Sequence, residues 1–476
     1  MLFFITATFV FPFLSYGQGV NFELVYGTQN YDDAKCIIQT LDSGYVVAGS
    51  TSGFGDGMSD VYLTKISKTG NVIWQQAIGG AGVEKGNSVI QTPDSGFAVV
   101  GYTNSSGNGG YDVYLVRTDK NGKVLWAKTY GGTDWDFGNS IIRTKNGDYV
   151  IAGSTYSYGN GNEDVYLVKT DSTGKQLWDL PFGGASEDEA KSVAESTDGG
   201  YFITGYTKSF GNGNEDVYLL KTDSDGSLQW TKTYGGAAED IGSEGKQTRD
   251  GGYIVIASTK SFETGKYFDY WLLKTDSVGD TLNYWTRRES AKDDKYATSV
   301  CQTYDGGYIF TGHVGISNFD IFLFKTDASG WWQNYRTYGG TDVENAFSVK
   351  QTFDSGYVVV GTTNSYGGGY PNIYVLKTGS DLTSTGIVQV VVGVEEIKYS
   401  NNKVVIYPKP AFDHIQINSD ARSVLEIFDS MGKSILLTQL SKETSFIDVS
   451  YLPNGIYFAL ISNGEYNLSD KIIIQH

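Results

Sequence analysis

An all-β architecture built from radially repeated four-stranded sheets is what this sequence predicts, and three observations predict it. The first is a period. Aromatic residues at Tyr45, Phe97, Tyr149, Tyr201, Tyr253, Tyr308 and Tyr357 recur at spacings of 52, 52, 52, 52, 55 and 49 residues, and a repeat of that length points to radial repetition about an axis. The second is the texture of each unit, four short runs rich in Val, Ile, Thr and aromatics, divided by Gly and Asp clusters. The third is composition: 61 glycines, 35 tyrosines and three methionines in 476 residues, with no long stretch of helical period.

The unit from Gly80 to Gly132 shows the elements in order. Its first hairpin closes on Asp94-Ser95-Gly96, matched by Asp42-Ser43-Gly44, Asn146-Gly147-Asp148, Asp198-Gly199-Gly200, Asp250-Gly251-Gly252, Asp305-Gly306-Gly307 and Asp354-Ser355-Gly356. Gly there accepts positive φ, and Asp bonds the turn amides. Strand three opens on Asp60, Asp112, Asp164, Asp216, Asp269 or Asp320, with Asn372 in the seventh copy; a carboxylate at a strand entrance is expected to accept hydrogen bonds from its own sheet. A second tight turn, such as Asp171 to Gly174, leads into strand four. There Trp74, Trp126, Trp178 and Trp230 follow a turn glycine by four residues, while Trp285 is shifted by an insertion. Large aromatics at one strand position suit packing between neighbouring sheets, each worth roughly 1.5 to 3 kcal/mol when buried. The sixth copy has Asn334 at that position, just after Trp331 and Trp332.

The seventh copy stops after three strands, near Thr378. The missing strand is legible at the other end of the chain, where Asn21 to Gly27 aligns with strand four, Phe22 on the Trp126 position and Tyr26 on Tyr130. The prediction is a seven-bladed β-propeller over residues 18–380, its last sheet closed by the N-terminal strand of the mature chain. With Gly159 to Asp171 as a clear example, the repeats resemble the bacterial β-propeller repeats of exported and surface proteins.

Leu2 to Leu14 is an apolar run followed by Ser15, Tyr16 and Gly17, which reads as a signal peptide over residues 1–17, although no Lys or Arg precedes it. No later segment approaches twenty apolar residues, so no transmembrane anchor is expected. Cys36 and Cys301 fall in repeats one and six, which are not neighbours in the ring, and are expected to be buried free thiols. The formal charge of −18 argues against a nucleic-acid partner, because phosphate binding draws its affinity from Lys and Arg.

Residues 381–402 read as a linker with one Val-rich run. A β module of about seventy residues follows, of a size and alternation that suit an immunoglobulin-like β-sandwich over 403–476. Three motifs occur in it together: Tyr407-Pro408-x-Pro410, Asp429-x-x-Gly432-Lys433, and Leu452-x-x-Gly455-Ile456-Tyr457. In this order at the C-terminus they resemble the type A sorting domain of type IX secretion cargo. That resemblance implies Sec export, passage across the outer membrane by the type IX secretion machinery, and removal by a sortase with release or surface attachment. Lys409 stands where that family usually has Asn, and the Gln475-His476 end where it usually has a basic residue.

Function is expected on the face of long loops, opposite the tight turns. Thirteen residues before each anchor aromatic stand Asp32, Glu84, Asp136, Asp188, Asp240 and Glu344, with Lys295 in the sixth copy. Two readings hold: each carboxylate secures its loop against the neighbouring sheet, or together they ring the mouth of an axial channel and take a cation or basic ligand. Calcium suits oxygen ligands, yet Asp-x-Asp-x-Asp-Gly spacing is absent, and no cofactor is expected. Phe54, Tyr158, Phe210, Phe262 and Tyr366 lie in the other long loops, and Trp135 in a loop beside Asp136. Aromatic rings among amides and carboxylates suit sugar faces; alternatively they fold inward and plug the loops. His313 stands alone in the repeats, and no nucleophile elbow, zinc-protease, P-loop or Cys-x-x-Cys motif occurs. The expected function is an exported cell-surface or secreted propeller, more a binding module for a glycan or protein than an enzyme. A carbohydrate-active enzyme, hydrolase or lyase, using two ring carboxylates is the first rival, since such a pair leaves no sequence signature. A scaffold without a ligand is the second.

Overall fold

The computed structural model describes residues 20–262, 266–287, 293–367, 370–386 and 388–392 in one compact unit, and 405–407, 411–418, 423–429, 433–440, 444–462 and 467–475 in a second. The signal-peptide segment, Pro408, Pro410, Gly432 and the side chains of Trp285 and Tyr407 lie outside that description.

The first unit repeats one antiparallel sheet. Sheet I runs Asp32–Gln39, Tyr45–Thr51, Asp60–Ile66 and Val72–Ile78, in that spatial order. Sheets II to VI repeat it, with inner strands Glu84–Gln91, Asp136–Arg143, Asp188–Glu195, Asp240–Gln247 and Asp294–Gln302. Sheet VII holds Glu344–Gln351, Tyr357–Thr363 and Asn372–Thr378, and its next strand is Phe22–Gly27. That strand lies antiparallel to Asn372–Thr378, with Phe22 opposite Lys377 and Tyr26 opposite Ile373. On its other edge Val388–Val392 runs parallel to it, Glu23 opposite Val388. The Val-rich run expected in a linker is therefore a fifth strand of sheet VII. The physical reason is that Phe22–Gly27 offers an unpaired backbone edge, and a β-branched segment takes it.

Middle strands are buried on both faces because each sheet is covered by a neighbour on either side. Tyr45–Thr51, Tyr149–Thr155 and Tyr357–Thr363 have no exposed residue. One apolar cluster joins Val46, Ala48 and Leu63 of sheet I to Val89, Phe97 and Val99 of sheet II. Another joins Phe22, Leu24, Tyr26, Val358 and Val360 of sheet VII to Ala34, Ile37, Tyr45 and Val47 of sheet I.

Three kinds of clasp recur between sheets. Where most inner strands end, a side chain accepts the backbone N–H of a hairpin in the preceding sheet: Leu41 donates to Gln91 (3.0 Å), Thr197 to Gln247 (2.7 Å), Arg249 to Gln302 (3.1 Å) and Tyr304 to Gln351 (2.7 Å). Phe353 of sheet VII donates to Gln39 of sheet I in the same way, at 2.8 Å. Midway along the inner strands, Ser140, Ser192 and Ser299 accept the amide of Val193, Gly245 and Val349 from the next sheet, at 3.0 to 3.2 Å. On the outer strands, Trp74 lies so close over the tight-turn Gly122 that a Cβ there would come within 2.8 Å of its ring. Trp126, Trp178 and Trp230 cover Gly174, Gly226 and Gly279 likewise, and Phe22 covers Gly70. The tryptophans are thus half-buried lids on turns rather than fully enclosed core. Asn334, at the same position, donates to the Asp381 carbonyl at 2.7 Å.

Cys36 and Cys301 are unbridged and partly covered. The second unit has a three-stranded sheet, Val405–Tyr407, His414–Asn418 and Thr444–Asp448, and a four-stranded sheet, Ser434–Gln439, Val424–Phe428, Gly455–Ser462 and Asn467–Ile474. Ile415 and Ile417 of the first share one buried core with Leu425, Ile427, Ala459, Ile461 and Ile472 of the second. Among the described residues no helix is long and apolar enough to cross a membrane.

Candidate functional site

The ring carboxylates face inward to the fold. Asp32, Glu84, Asp136, Asp188, Asp240 and Glu344 are all fully buried. Each accepts hydrogen bonds from the loop before it and from the end of the second strand of its own sheet or the long loop that follows it. Asp188 Oδ2 takes the Gly184 amide at 2.7 Å and the Ser209 hydroxyl at 2.6 Å; Asp136 takes Gly132 and Ser157, both at 2.8 Å. Asp240 repeats this with Gly236 and Ser261, Glu84 with Gly80 and Thr103, Glu344 with Gly340 and Thr363, and Asp32 with Thr28. Of the two readings of these acids, this geometry matches the one in which each carboxylate secures its loop: a turn of amides and hydroxyls needs an acceptor, and the buried carboxylates supply it. Burial raises the carboxyls of Asp32 and Asp136 above the usual range, against the hydrogen bonds that lower them. Among the described residues no three His, Cys, Asp or Glu side chains gather to hold a metal ion.

The repeated loop aromatics pack against the third strand of their own sheets. Phe54 meets Tyr62 edge-on at 5.2 Å, Tyr158 meets Tyr166 at 5.8 Å, Phe210 meets Tyr218 at 5.7 Å, Phe262 meets Trp271 at 5.2 Å, and Tyr366 meets Tyr374 at 6.2 Å. The hydroxyls of Tyr158 and Tyr366 donate to the Gly131 and Gly339 carbonyls, both at 3.1 Å. These rings plug their loops, although Tyr158 and Phe210 keep an exposed edge.

Trp135 differs. It is 48% exposed and stands in a continuous aromatic group on sheets II and III, with Tyr111 at 6.1 Å, Phe137 at 6.5 Å and Tyr156 at 5.9 Å. Tyr102 extends it, 5.2 Å from Tyr111 and 5.0 Å from Phe137. Glu163 borders the group and accepts the Tyr156 hydroxyl at 2.9 Å. Burial raises the Glu163 carboxyl, and nearby Glu189 adds to the shift; burial, with Tyr111 beside it, pushes the Tyr102 hydroxyl up to about 12. Beyond Glu163, Lys208 pairs with Glu187 at 2.5 Å and Glu215 at 3.4 Å, and Lys260 with Glu239 at 2.6 Å. The loop region thus has an aromatic sector and a charged sector. Sequence reasoning singled out Trp135 and missed Tyr102, Tyr111, Phe137 and Tyr156. The signal was partial: the residue before the third-strand carboxylate is Tyr111 in copy two against Ser59, Glu163 and Glu215 in copies one, three and four, but it is aromatic again as Phe268 and Phe319 in copies five and six, where both rings meet Tyr296.

His313 stacks on Tyr296 at 5.1 Å, and burial, then the charge of Lys35, lowers its imidazole to about 4. It is neutral at pH 7. In the second unit the motif residues that are described hold turns. Lys433 donates its amide to the Asp429 carboxylate at 3.0 Å, and the Tyr457 hydroxyl donates to the Pro453 carbonyl at 2.8 Å. Gly455 opens its strand opposite Ile474.

Comparison with known proteins matches residues 405–475 to the secretion system C-terminal sorting domain. The regulatory protein FlaEY of Caulobacter vibrioides is 26% identical over 255 residues, which cover 47% of this chain and 26% of that protein. The chain therefore spans about a quarter of the length of that relative. Among solved structures, PorZ, a surface component of the type IX secretion system of Porphyromonas gingivalis, aligns over 95% of this chain and 70% of its own at 11% identity and a TM-score of 0.37. The WD40 domain of Neurospora crassa Pan2 aligns over 75% of this chain and 91% of its own, at 11% identity and a TM-score of 0.45. This is a β-propeller repeat protein whose residues 405–475 are a type IX secretion C-terminal sorting domain, and that domain marks it for the cell surface or for secretion.

Proposed function

We propose that this chain is an exported seven-bladed propeller, sealed by Phe22–Gly27, that binds a glycan through the aromatic sector of its long-loop face. The C-terminal domain, a small immunoglobulin-like sandwich, engages the type IX machinery and is removed by a sortase. The observation that carries the binding reading is the half-exposed Trp135 in its aromatic group; the related group of Phe268, Tyr296 and Phe319 on sheets V and VI presents no exposed ring. A ligand site on a repeat scaffold breaks the symmetry of the scaffold, and sugar rings bind by stacking on aromatic faces beside hydrogen-bonding carboxylates. Sealing is supported by the Phe353 to Gln39 bond and by Phe22 over Gly70, which repeat between sheets VII and I the contacts made between other neighbours.

The test is a glycan and protein array probed with the full chain and with Trp135→Ala. The expected result is retention on a subset of glycans, lost in the variant while its circular dichroism and melting stay those of the parent. Binding of the two proteins to the same glycans with equal strength would overturn the assignment to this sector. Retention only on proteins would move the ligand class, and silence of the parent on the whole array would favour the scaffold.

A further inference from the structure

The inner strands of all seven sheets converge on a cavity of about 250 Å³, and its lining is basic although the chain as a whole carries −18. Lys35, Lys191, Lys246 and Lys350 reach it, and Glu244 is the acidic residue among its lining. Glu244 stands where five other copies have serine and the first has Cys36; it accepts the Val300 amide at 2.9 Å, and is held by Lys246 at 2.8 Å and Lys350 at 3.3 Å. Lys191 pairs with Glu189 at 2.7 Å. Lys35 has no such partner among the described residues; its ammonium lies over the ring of Phe347, 3.7 Å from the centroid. Four ammonium groups thus share two carboxylates, and the surplus sits at Lys35.

We propose that this axial cavity binds a small oxyanion, a carboxylate or phosphate, through Lys35 and Lys191. A cluster of cations in a confined, half-buried space carries a mutual repulsion that an anion relieves. Lys35 bears this cost: burial lowers its ammonium below the ordinary range, and Lys85 and Lys191 add to that shift against the opposing charge of Asp33. Neutral groups complete the site. Asn87 and Asn139 line the cavity with their amide hydrogens donated to the Gly138 carbonyl and to Glu189 and the Ala190 carbonyl, at 2.8 to 2.9 Å. That fixes their orientation, with Asn139 Oδ1 also taking the Asn87 amide at 3.4 Å, and leaves the Asn87 amide oxygen to accept from ligand hydroxyls. The site does not depend on the glycan reading of the loop face.

Isothermal titration of the full chain at pH 7 with sodium glucuronate, inorganic phosphate and glucose tests the assignment. The expected result is saturable binding of at least one anion and none of glucose. Binding should weaken at least about tenfold in Lys35→Met, the loss of one charge-assisted hydrogen bond, and be untouched by Lys120→Met in an exposed turn. Tighter binding of glucuronate identifies an organic carboxylate, and tighter binding of phosphate an inorganic or phosphorylated ligand; both uphold the site. Circular dichroism of each variant separates lost binding from lost folding, and Lys191→Gln carries the same test if Lys35→Met does not fold. No saturable anion binding, equal binding of glucose, or parental affinity in the folded variants would overturn the proposal.

Discussion

Ser43, Ser95 and Ser355 have φ of 65°, 67° and 66°, the left-handed region where a β-carbon is unwelcome. The corresponding residues in four other hairpins are Gly147, Gly199, Gly251 and Gly306, also at positive φ. The Asp-Ser-Gly spelling suggests that its glycine takes the left-handed position, but the serine does. The glycine is needed for another reason: a Cβ at Gly44 would lie 2.6 Å from the Ile66 carbonyl. Ser43→Gly is therefore expected to stabilise the protein by about 0.5 to 1 kcal/mol, the relief of strain less the added freedom of the unfolded chain. Urea unfolding at equilibrium measures it, and a lower midpoint would count against this account of the turn. A buried cation beside the same hairpin escaped the sequence reading. Lys65, Lys221, Lys274 and Lys377, each in the third strand, pair with Asp42, Asp198, Asp250 and Asp354 at 2.7 to 3.0 Å. Recurrence of Lys-Thr before the second tight turn was visible, but a lysine in an amphipathic strand reads as solvated until its neighbours are known.

At the scale of the element, the period, the hairpins and the displaced outer strand were all readable, because turn chemistry and a two-residue alternation are local. The orientation of the ring carboxylates was not, since an acid before a strand has the same spelling whether it faces a channel or caps a loop. Nor was the pairing of Val388–Val392, because a β-branched run does not name its partner. The strand Phe22–Gly27 is bonded on both edges, so Val25→Pro removes an amide from a central strand and should cost about 3 kcal/mol or more. The expected outcome is a fall in the urea midpoint together with exposure of sheet VII to proteolysis. A variant as stable and as resistant as the parent would show that the strand is dispensable.

For the whole molecule, two sets of carboxylates oppose each other as pH changes. Burial works against ionisation of Asp42 and Asp305, but Lys65 and Lys325, with a neighbouring threonine and amide, outweigh it and hold both carboxyls down at about 2. Groups more acidic in the fold than in the unfolded chain stabilise it fully above about pH 4 and lose that contribution as pH falls towards 2. Asp60, Asp112, Asp164 and Asp320 are raised, by burial first and then by an acid on the next sheet, Glu84, Asp136, Asp188 or Glu344. Their protonation favours the fold as pH drops through their raised values. Chemical unfolding across pH should therefore show stability rising from pH 7 into the weakly acidic range, then collapsing below about pH 4. A monotonic decline from pH 7 would deny the inter-sheet repulsion. The position of Phe22–Gly27 has a consequence for timing. The berth of that strand is assembled from residues 344–378, made long after it. The segment therefore waits unpaired while the intervening sheets are synthesised, and a contact of such sequence separation is among the last and slowest to form.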